Sequence, residues 1–186
     1  DTLVTNNILP VLVAKLTSEA HVGIVGPRLL NPDGSFQLSI AYEIGLWGEW
    51  RTLQQVKQYR IPANRPALAA RYDRDQVVDI VVGAALMMRR SLFEQVGGFD
   101  ETFFMYFEES DLCQRVRALG YKILYTPAVT VIHIGGYSVA QVAGPMAVAY
   151  RRSQRYYYRK HRPRWEQWIL HGYLAFKAWR QARQHS

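Results

Sequence analysis

The chain has 186 residues, 49% hydrophobic and 20% charged, with a formal charge of +8; that suffices for one apolar core with an appendage and excludes a disordered polymer. No uncharged apolar run reaches the ~18 residues of a membrane-spanning helix, and Asp1-Thr2-Leu3-Val4 has neither the charged start nor the apolar run of a signal peptide, so the chain reads as a fragment. Its one cysteine, Cys113, excludes an intrachain disulfide; between Leu112 and Val116 on a predicted helix it reads as a buried small hydrophobe rather than a nucleophile.

Ile8, Leu9, Leu12, Val13 and Leu16 fall at helical spacing within residues 6–18. Residues 21–26 form a β-branched run closed by Pro27, the pattern of a buried strand. Asn31-Pro32-Asp33-Gly34 is a turn between Leu29-Leu30 and Phe36-Gln37-Leu38, which predicts a hairpin. Residues 43–76 lack a period and are punctuated by Gly45, Gly48, Pro62 and Pro66; they read as a variable loop or short-helix insert, either a substrate-facing lid or a surface excursion pinned by aromatics. Residues 77–82 predict a strand, followed by Gly83-Ala84-Ala85, whose small side chains permit close approach of backbone or ligand. A short helix is expected over 90–96, with Ser91 as cap and Gly97-Gly98 as stop. Residues 99–107 are an aromatic loop, a helix follows over 109–119 and ends at Gly120, and strands are predicted over 121–125 and 129–133, separated at Pro127. Alternation of strands and helices gives the α/β class.

Two features suggest chemistry. Glu108, Glu109 and Asp111 place three carboxylates within four residues at a helix start. Their mutual repulsion is partly offset there by backbone N–H groups and the helix dipole. A carboxylate so placed suits a general base, although acids are common at helix starts for stability alone. His133, before Gly135-Gly136, falls at a strand end, where open α/β sheets place ligands; a lone histidine there is more often structural. Asp1 adds an oxygen donor suited to Mg²⁺ or Mn²⁺.

These pieces occur in the order of a family pattern. Residues 82–90, then 96–115, then Gly120-Tyr121, then His133 with Gly135-Gly136, resemble the family 2 glycosyltransferases, closest to the bacterial rhamnosyltransferase-like branch; residues 25–34 fit that branch too. The resemblance covers about residues 1–140. It implies a partial GT-A fold, a Rossmann-like mixed sheet flanked by helices, and inverting transfer of a sugar from a nucleotide-diphosphate donor to a glycan or lipid-linked acceptor, with Mg²⁺ or Mn²⁺ as cofactor. It also implies catalytic roles at Glu109, Glu108 and Asp111, with Glu109 as the base. The family's usual residue there is Asp, so Glu109 departs from the pattern by one methylene. Gly83, Ala84, Asp100 and Tyr106 are implied to shape the substrate site, and Asp1 and His133 to hold the metal. Glu109 and His133 are expected to point into one cleft. The N-terminal nucleotide-binding half of the family is absent, so this stretch alone is expected to be inactive.

Residues 150–186 hold ten Lys or Arg against one acid, a charge of +9, while residues 1–149 sum to −1. The expected division is therefore 1–143, the acceptor-side part, and 144–186, a basic amphipathic helical tail opened by a turn at Gly144-Pro145. Trp165, Trp168, Ile169, Gly172, Phe176 and Trp179 follow helical spacing, as an interfacial membrane anchor requires. The expected location on that reading is cytoplasmic, peripheral to the inner face of the membrane. Packing of this helix on a further domain or subunit is the alternative. Two rival functions remain at this level: a nucleic-acid module using the Arg and Tyr of the tail, which the near-neutral remainder disfavours, and a non-catalytic scaffold.

Overall fold

A computed structural model describes residues 1–134 and 143–184. It has a mixed six-stranded sheet flanked by helices, consistent with the Rossmann-like arrangement the resemblance implies. The central pair is β2 (Val22–Leu30) and β8 (Lys122–His133), which run parallel. The first half of β8 pairs with β5 (Gln76–Val78), and its last residues pair with β1 (Thr2–Leu3). On the far edge of β2 lie β7 (Met87–Met88) and, past the Asn31–Gly34 turn, β3 (Phe36–Gln37), so the expected hairpin forms. A separate ribbon joins β4 (Ile40–Ala41) to β6 (Ile80–Val81).

Two expected boundaries move. The strands predicted on either side of Pro127 are one strand. Register slips between Pro27/Thr126 and Arg28/Thr130, so Pro127 sits in an irregularity where no ladder N–H is needed. The strand expected over 77–82 is split instead, at Asp79, between the two sheets. Asp79 accepts the Glu43 N–H at 3.1 Å and pairs with Arg117 at 3.3 Å, which fixes the break.

Both sheet faces are covered. The helix α1 (Leu9–Ser18) packs Leu12 and Leu16 on Val22, Val25, Leu29 and Val131. On the opposite face α4 (Arg90–Gln95) and α5 (Glu108–Ala118) set Leu92, Leu112, Cys113 and Val116 against Ile24, Ile123 and Tyr125. Neighbours Ile24 and Val25 thus face opposite cores and both are fully buried, which is why this strand reads as an unbroken apolar run. Each such side chain contributes about 1.5–3 kcal/mol. Cys113 is buried as expected. The Ser91 cap does not form; Arg89 holds the cap position without a side-chain bond. Gly97 and Gly98 stop the helix at φ 81° and 68°, where a side chain would be strained.

The aperiodic stretch is helical: α2 (Leu46–Arg60), a 3₁₀ turn at Pro62–Asn64, and α3 (Arg65–Arg71). Gln55 is the one buried residue of α2, so no apolar stripe marks it. The basic tail forms α6 (Ala143–His161) and α7 (Arg164–Gln184), with helix rather than a turn at Gly144-Pro145. Tyr157, Tyr158, Leu170 and Leu174 share a buried cluster with Phe103 and Phe107, so the helical tail is packed into the domain. Arg162 pins the corner, reaching Glu166 at 2.6 Å and Glu43 at 2.9 Å. No described helix is long and apolar enough to cross a membrane.

Candidate functional site

The acidic segment opens α5 by an unusual route. Tyr106 and Phe107 both take positive φ, 65° and 72°. Two successive non-glycine residues in this region store strain of the kind found at ligand sites. The reversal sets Glu108 and Glu109 in the first helical turn. Gly83 lies directly behind Glu109: a β-carbon at Gly83 would stand 3.3 Å from Glu109 Cβ and 3.9 Å from its carboxyl carbon. Burial first, and then the charge of Glu108, push the Glu109 carboxyl up to about 7, against the pull of the Glu109 and Ser110 N–H groups. Oε2 of Glu108 is buried and has no hydrogen-bond partner. Glu109 therefore exchanges a proton near neutral pH, and the acidic pair has an unused oxygen.

The second group gathers at the end of β8. Thr2 pairs with His133 across the ladder, which brings Asp1 Oδ1 to 3.7 Å from His133 Nε2. Gln37 Nε2 donates to the His133 carbonyl at 3.1 Å and to Asn31 Oδ1 at 3.0 Å, which fixes the amide orientation. Its Oε1 then faces His133 Nδ1 at 2.8 Å. That nitrogen must carry the proton, leaving the Nε2 lone pair turned toward Asp1. Burial lowers the pKa of the imidazole, so it is neutral at neutral pH. One imidazole and one carboxylate suit a divalent cation that keeps water or substrate oxygens in its other positions. Among the described residues no third His, Cys, Asp or Glu joins them.

The sequence-derived residues thus fall into three groups. Gly83, Glu108 and Glu109 are neighbours, and so are Asp1 and His133. The segment 37–39 spans these two groups: Gln37 holds His133, and the Ser39 carbonyl accepts the Val82 N–H at 2.9 Å, one residue before Gly83. No direct contact joins Glu109 to His133 among the described residues. Asp111 and Asp100 form the third group, turned toward α6. Asp111 is fully buried and takes Arg115 at 2.8 Å, Lys160 at 2.8 Å and His161 at 2.6 Å. Asp100 takes Lys160 at 2.6 Å and the Tyr156 hydroxyl at 2.9 Å. One oxygen of each reaches α6, Asp111 Oδ1 and Asp100 Oδ2; Asp111 Oδ2 takes Arg115 of its own helix, and Asp100 Oδ1 accepts the Thr102 N–H. Tyr106 packs edge-on against Tyr150 of α6, and Ala84 rests on the α1-side core. Gly135 and Gly136 lie outside the described residues.

Sequence reasoning passed over Gln37, an ordinary polar residue of a two-residue strand. It also passed over Tyr150, whose hydroxyl pKa is pushed up to about 12 by burial, with Glu49 and Glu109 among the charges adding to it. Only the contacts of α6 show that Tyr150 stands near the acidic pair.

Comparison with known proteins finds relatives over most of the chain. A rhamnosyltransferase of Mycobacterium tuberculosis, N-acetylglucosaminyl-diphospho-decaprenol L-rhamnosyltransferase, is 31% identical over 176 positions, covering 85% of this chain and 53% of the relative. Rhamnosyltransferase WbbL of Escherichia coli is 44% identical over 59 residues, 32% of this chain and 22% of the relative. A low-salt glycan biosynthesis hexosyltransferase of Haloferax volcanii is 38% identical over 68 residues, 37% of this chain and 22% of the relative. The chain spans about half the length of the first of these. The family model described as glycosyltransferase like family 2 matches residues 1–165, and on that match the chain belongs to this family.

Proposed function

We propose that this chain forms the acceptor-side part of a glycosyltransferase that moves a sugar, with inversion, from a nucleotide-diphosphate sugar to a glycan or lipid-linked acceptor. The observation that carries the reading is the Glu109 carboxyl, held near neutrality against Gly83 with its partner Glu108 half unsatisfied. Glu109 takes the proton of the acceptor hydroxyl as that oxygen attacks the anomeric carbon, and the bond to the diphosphate breaks on the opposite face. Burial, and after it the charge of Glu108, keep the Glu109 pKa high enough for the task. Asp1 and His133 would hold Mg²⁺ or Mn²⁺, which supplies stabilisation of the departing diphosphate charge. Asp100 and Asp111 act by fastening α6 behind the site, and α6 supplies Tyr150. Glu109→Gln in the full-length protein is the test. Lost transfer with retained folding supports the assignment, and undiminished transfer refutes it.

The 186-residue chain by itself is proposed to be inactive, because the donor's base and ribose would be held by chain beyond it; robust turnover by this stretch with any nucleotide sugar refutes that. The protein is proposed to sit peripherally on the cytoplasmic face of the membrane. Support comes from α7, whose Trp165, Trp168, Ile169, Phe176 and Trp179 form an exposed stripe opposite the buried Leu170 and Leu174, flanked by Arg164 and Arg180. A Trp-rich stripe with basic flanks suits the headgroup boundary of an anionic bilayer. Sedimentation with liposomes that is indifferent to anionic lipid would count against it.

A further inference from the structure

The basic side chains of α6 are sorted between two faces. Lys160, His161 and Arg162 turn inward to Asp100, Asp111, Glu43 and Glu166. The remaining arginines form no ion pair with a carboxylate among the described residues, although Arg151 lies close enough to Glu49 to act on its charge. Arg151, Arg152, Arg155 and Arg159, with Lys177 of α7, line a groove of about 710 Å³ between the two helices. Arg151 donates to Gln154 at 2.6 Å, and Arg159 lies over the Tyr156 ring at 5.5 Å. Arg152, Arg155 and Lys177 have no partner among the described residues, and Arg152 and Arg155 are exposed. No Asp or Glu lines the groove, and none occurs anywhere in residues 135–165. The floor between the cations is apolar, formed by Leu174 and by Val148, which is 72% exposed.

Five cations around one concavity repel one another, and a bound anion offsets that cost. Guanidinium forks match the oxygens of phosphate in geometry as well as charge. An apolar floor beneath them suits the organic part of an ester rather than a bare ion. We infer that the groove between α6 and α7 is a binding site for a phosphate or diphosphate ester, with its phosphate oxygens held by Arg152, Arg155 and Arg159 and its organic group laid against Val148 and Leu174. The site is separate from Glu109 and does not depend on the transfer reaction.

The full-length protein is titrated with inorganic diphosphate by calorimetry and floated with phosphatidylcholine vesicles with and without phosphatidic acid. Arg152→Gln with Arg155→Gln is compared with Lys57→Gln and Arg60→Gln, which removes the same charge from exposed positions of α2. Both pairs leave the buried contacts intact, and circular dichroism checks their folding. The groove variant is expected to lose roughly tenfold to a hundredfold in affinity, as loss of charge-assisted hydrogen bonds implies, while the α2 variant stays within about twofold. Arginine-dependent binding of vesicles, competed by diphosphate, assigns the site to a lipid phosphate; binding of diphosphate alone assigns it to a soluble ester. Equal losses in the two variants, binding of neither probe, or tighter arginine-dependent binding of single-stranded RNA at the same salt would each overturn the inference.

Discussion

Gln37 Oε1 lies 2.8 Å from His133 Nδ1, and the same side chain donates to the His133 carbonyl. One residue on β3 thereby fixes both the tautomer and the orientation of the imidazole at the end of β8. Gln37→Leu keeps the volume and removes the acceptor. Nitrogen chemical shifts of the His133 ring should then show a mixture of tautomers in place of one. Affinity for Mn²⁺, read by electron paramagnetic resonance, is expected to fall by roughly tenfold to a hundredfold, the usual effect of losing a partner behind a metal ligand. Unchanged ring shifts would show that Gln37 does not set the tautomer.

The raised carboxyl of Glu109 carries a pH signature of definite sign. Its pKa moves from an ordinary 4.5 to about 7 in the folded chain, by burial and by the charge of Glu108. The folded state therefore holds a proton that the unfolded chain releases. The contribution is full below about pH 4.5 and is lost as pH rises through about 7. Glu109→Gln, which stays neutral, should match the wild type near pH 4 and exceed it in stability by about 1–3 kcal/mol at pH 8, the shift discounted for partial solvent contact. Denaturant unfolding at the two pH values measures this. In the full-length enzyme, transfer limited by this base should fall about tenfold per pH unit below the same midpoint.

Gly83 tests the same contact from the other side. A β-carbon there would stand 3.3 Å from Glu109 Cβ, closer than side chains normally pack, so Gly83→Ala should displace Glu109 by a few tenths of an ångström. A cost of about 1 kcal/mol is expected, with a larger effect on transfer than on folding. Gly83→Val adds two methyl groups to the same gap and should abolish transfer in the full-length protein while the circular dichroism spectrum is kept. If both variants turn over like the wild type, Glu109 is not held by this wall.

Patterns that arise from a single element were legible in the sequence. The stop at Gly97-Gly98, the Asn31–Gly34 hairpin and the acidic start of α5 depend on local backbone chemistry, and all three form. Features set by distant partners were not. Pro127 looked like a strand end because its tolerance depends on a register slip against β2. The helix α2 was hidden because it buries a glutamine, hydrogen-bonded to Tyr72 at 2.6 Å, in place of an apolar stripe. Gln37 and Tyr150 gain meaning only from residues 96 positions away in one case and on another helix in the other. The basic tail was read by its charge, yet its buried tyrosines and its inward-facing cations are what join it to the domain.

That junction makes the last prediction. Asp111 is fully buried between Arg115, Lys160 and His161. Burial alone would raise its pKa, but His161 and Lys160, followed by Arg115, outweigh it and hold the carboxyl below the ordinary 3.8. Asp100 is shifted the same way, with Lys160, Thr102 and Tyr156 overcoming burial. Depressed folded values mean that this stabilisation is present above about pH 4 and is lost as pH falls through the folded pKa. Acid should therefore loosen α6 from α5 before the sheet unfolds, because the buried carboxylates among the described residues, Asp111 and Glu166, lie on helices and not on the sheet. Hydrogen exchange of α6 amides is expected to accelerate below about pH 4 while β2 and β8 stay protected. Asp111→Asn leaves two cations facing a neutral amide and should cost about 3–5 kcal/mol at pH 7. It should also flatten the acid response of α6, and an undiminished response would place the latch in Asp100 instead.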